Sequence, residues 1–143
     1  MIKPYTTIDQ SQKLIDAGID PNTCDMWHHP DWSNHADFNR RCRVENIPCW
    51  SMARLMSLLP DEIVIDRGKR TCKHYIFSIE KFEPWQYSFA YYCRNINGDI
   101  ETLWDEICID SPLDLLVDAL CWVMTNGYED KQIQREIAEN EQL

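Results

Sequence analysis

"CKHYIFSIEKFEPWQYSFAYYC", residues 72–93, is the stretch that decides the fold class. Its first half alternates, with Lys73, Tyr75, Phe77 and Ile79 on one side and Cys72, His74, Ile76 and Ser78 on the other. The second half alternates more cleanly. Trp85, Tyr87, Phe89, Tyr91 and Cys93 face one way, and Gln86, Ser88 and Ala90 face the other. A period of two marks strands, because successive side chains leave the backbone on opposite sides. Glu83-Pro84 is a suitable connection, so the stretch predicts an antiparallel hairpin.

The pattern extends in both directions. Upstream, "EIVID" (62–66) reads as a short strand turned by "RGKR" (67–70). Downstream, Asn97-Gly98 signals a turn into a further strand within "LWDEICID" (103–110). Three helices are expected around this meander. In "TTIDQSQKLIDAG" (6–18), Thr7 and Gln10 form a capping box and Gly18 is the stop, with Ile8, Leu14 and Ile15 on one face. In "CWSMARLMSLLP" (49–60), Ser51 caps a stripe of Met52, Leu55, Met56 and Leu59, and Pro60 stands beyond the end. In "SPLDLLVDALCWVMTNG" (111–127), Ser111 caps, Pro112 sits in the first turn and Gly127 ends the run. Apolar residues cover most sides of that last helix, which predicts burial on most sides.

The chain of 143 residues fits one domain. Its 44% hydrophobic and 27% charged content is that of a globular protein. No apolar run reaches the roughly 18 residues of a membrane span, and "MIKPYTTIDQSQ" lacks the apolar core of a secretory signal. Seven cysteines, none in a C-x-x-C pair, read as reduced thiols of a cytoplasmic protein. The net charge of −10 is lopsided: residues 1–98 carry 12 acidic and 12 basic side chains, whereas 99–143 carry 12 acidic and 2 basic. An acidic last third opposes broad binding to phosphate backbones.

"CDMWHHPDWSNHADFNRRC", residues 24–42, gathers three of the four histidines and shows neither a helical nor a strand period. It reads as a long loop packed by Trp27 and Trp32, with its imidazoles facing water. Metal binding by Cys24, His28, His29, His35 and Cys42 is disfavoured, because only Cys24 and His28 have a spacing like that of ligand pairs. His35-Ala36-Asp37 with Pro48-Cys49-Trp50-Ser51-Met52 echoes the zinc-deaminase signature. It fails there because Asp37 replaces the required Glu and Met52 replaces the second thiolate. No nucleophile elbow or phosphate-binding glycine loop is present. Asp114 and Asp118, one helical turn apart, read as a solvated strip.

The blocks "DQSQKLIDAGIDPNTCDM" (9–26), "IPCWSMARLMSLLP" (47–60) and "DLLVDALCWVMTNGY" (114–128) resemble an uncharacterised family of small proteins. Phages and mobile elements of gut bacteria carry its members. The resemblance implies a cytoplasmic bacterial or phage protein and brings no activity or catalytic residue with it.

The expectation is a single α+β domain over 1–128. It comprises N-terminal helices, an antiparallel three- to four-stranded β-meander, and a buried C-terminal helix packed on one sheet face. An acidic tail over 129–143, helical or disordered, follows. The expected role is a non-enzymatic protein-interaction or regulatory module acting through an acidic C-terminal surface, with no cofactor and no membrane contact. Its partner would be a protein with a basic surface, and a homodimer is compatible with the same features. The contact residues would be Trp27, His28, His29, Trp32 and His35. Two alternatives stand beside it: nucleic-acid binding by Arg67, Lys69, Arg70 and Lys73 with the sheet aromatics, and metal binding through the 24–42 loop.

Overall fold

The computed structural model describes residues 4–28, 36–37, 47–65, 73–83, 86–109 and 111–129. The fold is α+β, and the described residues gather into two compact units. One holds those up to Leu59 together with those from Leu116 onward, and the other holds Pro60 to Leu115.

In the first unit, α1 (Ile8–Asp16) starts on a capping box. Thr7 Oγ1 accepts from the Gln10 N–H (3.2 Å), and Gln10 Oε1 accepts from the Thr7 N–H (3.0 Å). It ends where Gly18 takes a left-handed backbone (φ +107°), and the Gly18 and Ile19 N–H groups close back onto Ile15 and Leu14. The buried side is Ser11 and Leu14, whereas Ile8 is 51% exposed, so the expected apolar face is rotated. Thr6 causes this: its hydroxyl bonds that of Ser11 (2.8 Å) and draws a polar residue inward.

A short 3₁₀ turn (Pro21–Thr23) leads to β1 (Met26–His28), which pairs antiparallel with β2 (Ala36–Asp37) and β3 (Ile47–Cys49) in the order β2-β1-β3. The structureless loop expected after residue 24 is therefore corrected at 26–28 and 36–37. Strands of two or three residues are too short to show a period.

Ser51 caps α2 (Met52–Leu58), accepting from the Arg54 N–H (3.2 Å). Leu55 and Leu58 are its buried residues, while Met56 is exposed. From Leu116 on, α3 (Pro112–Thr125) completes this core with Leu116, Val117, Leu120 and Val123, all nearly inaccessible. Asp118 pairs with Lys13 of α1 (2.9 Å).

The second unit is the expected meander: β4 (Glu62–Ile65), β5 (Lys73–Glu83), β6 (Gln86–Arg94) and β7 (Ile100–Ile109), antiparallel in that order. β7 starts three residues before the expected strand. Gly98 (φ +85°) sits in the β6–β7 turn, where Asn95 Oδ1 accepts from the N–H groups of Asn97 (2.9 Å) and Asp99 (3.0 Å). Register places Ile63, Tyr75, Phe77, Phe89 and Tyr91 on one face. Ile63, Tyr75, Phe89 and Tyr91 are buried there, and the Phe77 ring meets Phe89 edge-on at 6.1 Å and Tyr91 at 5.2 Å. The Tyr91 hydroxyl donates to the Pro60 carbonyl (2.7 Å), and burial raises its pKa.

Candidate functional site

Among the described residues of the first unit, several polar side chains converge on Trp50. This indole is fully buried and donates from Nε1 to Thr23 Oγ1 (2.9 Å), while the Thr23 hydroxyl donates to the Asp20 carbonyl (2.7 Å). The Trp50 N–H donates to Thr6 Oγ1 (3.0 Å), and the Thr6 N–H donates to the Trp50 carbonyl (3.0 Å). His28 donates from Nε2 to the Thr6 carbonyl (2.8 Å), with its ring edge-on to Tyr5 at 5.5 Å. Asp25 accepts from both the N–H (2.9 Å) and the hydroxyl of Ser51, and Arg54 Nε donates to the Thr23 carbonyl (2.7 Å).

This seam contains a serine, a histidine and an aspartate but no relay among them. Asp25 holds Ser51 directly, and the His28 Nε2 is committed to a backbone carbonyl. Burial pushes the Cys24 thiol up to about 11 and the Cys49 thiol up to about 12, which removes the thiolate a nucleophile needs. The seam positions strands and helices, and its polar groups are satisfied by one another.

The expected contact residues divide. His28 is only 6% exposed, so the imidazole facing water is corrected for this residue. Its side chain turns inward because Thr6 offers an acceptor beneath β1. Trp27 is half-buried. His29, Trp32 and His35 lie outside the described residues. So do Cys42 of the metal alternative and Arg67, Lys69 and Arg70 of the nucleic-acid alternative. Among the described residues, no three histidine, cysteine or acidic side chains are grouped to hold a metal ion.

The fourth basic residue, Lys73, is paired with Glu101, which holds its ammonium charged above the usual lysine value. Phe89 and Tyr91, two of the sheet aromatics of the nucleic-acid alternative, are buried, because the aromatic side of the sheet is its core side.

The other side is open. Of eight large apolar side chains exposed among the described residues, four lie on this outer face: Val64 (51%), Ile76 (54%), Ile100 (59%) and Ile107 (55%). A depression of about 250 Å³ is sunk into it. Ser78, Ser88 and Ala90 form its floor, because three small side chains leave room above β5 and β6. Glu80 and Asp105 stand at one end and Arg94 at the other. None of these three charges has an ion pair among the described residues, and Arg94 donates only to the Gly98 carbonyl (3.3 Å).

The alternation of the sequence puts Ile76 and Ser78 opposite the aromatics, but it attaches no role to that side. The signal is a strand that is apolar on both faces at Ile76 and Phe77. The acidic tail from residue 130 onward lies outside the described residues. Among the described acidic residues of the last third, Glu101 is paired with Lys73, Asp118 with Lys13, Asp114 lies in the first turn of α3, and Asp105 lies on the outer face. No helix among the described residues is long and apolar enough to cross a membrane. Compared with protein-family models, curated proteins and solved structures, the chain matches none.

Proposed function

We propose that this protein is a non-enzymatic interaction module whose contact surface is the outer face of the β4–β7 sheet. One observation carries the reading: isoleucine and valine side chains are left in water together on one face, around a small-residue depression. Exposed apolar side chains and an open depression on one face favour protein contact, because leaving apolar area in water is unfavourable. Glu80 and Asp105 favour a partner with basic groups opposite them. The saturated seam around Trp50 supports a non-enzymatic role. The resemblance of the three sequence blocks fits a regulatory protein of a phage or mobile element.

Site-specific photo-crosslinking tests this. A benzophenone side chain at position 107 or 76 should yield protein adducts in the cells that make the chain, and one at position 12 on α1 should not. Absence of adducts from both outer-face positions would overturn the reading.

A further inference from the structure

The outer sheet face has two unlike halves. Glu80, Ser88 and Ile107 align across β5, β6 and β7, and Ser78, Ala90 and Asp105 form the next row. Three of these six residues, Ser78, Ser88 and Ala90, are small, and two are carboxylates. Then come Glu62, Ile76, Tyr92 and Thr102, and at the far end Val64 opposite His74 and Arg94 opposite Ile100. That half is bulky and carries the guanidinium, while His74 contacts Glu62.

We propose that the occupant of this face is a second copy of the same chain, packed sheet against sheet. The inference rests on the reading above and names the partner for that surface. A two-fold axis lying in the interface and running across the strands reverses the order of the rows. Tyr92 of each copy then lies over Ala90 of the other, a ring above a methyl group. Arg94 comes down over Ser88, between Glu80 and Asp105 of the opposite copy. Large meets small and positive meets negative, twice, as an isologous contact requires.

The size is adequate for a reversible dimer. Strands spaced about 4.8 Å apart and rising about 3.4 Å per residue give this face roughly 500 Å² per copy. The total of about 1,000 Å² lies at the lower bound for a specific interface, so the dimer should dissociate on dilution.

Charge exchange tests the pairing. In sedimentation velocity, the wild-type chain should shift from monomer toward dimer between micromolar and millimolar concentration. Arg94→Glu alone and Glu80→Arg alone should each be monomeric, because each sets like charges against one another at both ends. An equimolar mixture of the two variants should recover dimer. The glutamate introduced in one copy then faces the arginine introduced in the other, and the native pairing of Arg94 with Glu80 survives at the second end. Circular dichroism of each variant confirms that it is folded.

A wild-type chain that stays monomeric, a dimer indifferent to Arg94→Glu, or a mixture no better than its components would overturn the proposal. Outer-face photo-adducts that contain a different protein, seen with a monomeric wild type, would sink the dimer alone. No adducts from either outer-face position would sink the reading beneath it as well.

Discussion

Around Trp50, the polar side chains of Thr6, Ser11, Thr23 and His28 are buried and hydrogen-bonded. On the outer face of the β4–β7 sheet, Val64, Ile76, Ile100 and Ile107 stand half in water. The first region has the residue types of an active site and spends them on structure. The second has ordinary residue types in an unfavourable environment, so it is the one with interactions left to make. In this molecule the unsatisfied groups, rather than the reactive ones, mark the surface open to a partner.

Four experiments probe this contrast. Trp50→Ala removes the largest side chain of the first core and should lower stability by about 3–5 kcal/mol, read by chemical denaturation. Thr6→Val keeps the shape but strips the acceptor from the Trp50 N–H and the partner from Ser11. It should cost roughly 1–3 kcal/mol. A loss below the range expected for surface changes would mean that the seam is not the structural element described.

Alkaline pH probes the same region. Cys49 is held protonated up to about 12 by burial, above its ordinary 9.0. Between those values the unfolded chain loses the thiol proton and the native chain keeps it, so native stability should fall as pH rises above 9. It should be intact below 9, and Cys49→Ala should flatten the slope.

The smallest effect belongs to the outer face. Ile76→Ser should change stability by no more than about 0.5 kcal/mol, because the side chain is already largely in water. The same substitution should markedly reduce photo-adducts from position 107.

Much of the architecture was legible because local rules and tertiary demands agree. The Thr7–Gln10 box, the Ser51 cap, the Asn97-Gly98 turn and the alternation through Tyr75–Tyr91 act through neighbours a few residues away. The β2-β1-β3 sheet was hidden because its strands are short and Met26 finds its partner at Cys49, far along the chain. Ser11 inside and Ile8 outside reverse their usual preferences through a hydroxyl pair that no periodicity reveals. As for the site, the histidines draw attention by composition, yet His28 is part of the core. The open face went unread because an isoleucine at position 76 declares nothing until the inner face is known to be filled by Tyr75, Phe89 and Tyr91.

The most direct measurement is the adduct yield from a photo-crosslinker at position 107, compared between the otherwise unchanged chain and the chain also carrying Ile76→Ser. Abundant adducts are expected in the first and few in the second, with both proteins melting at the same temperature. Equal yields from the two, or none from either, would contradict the claim that this sheet face is where the protein meets its partner.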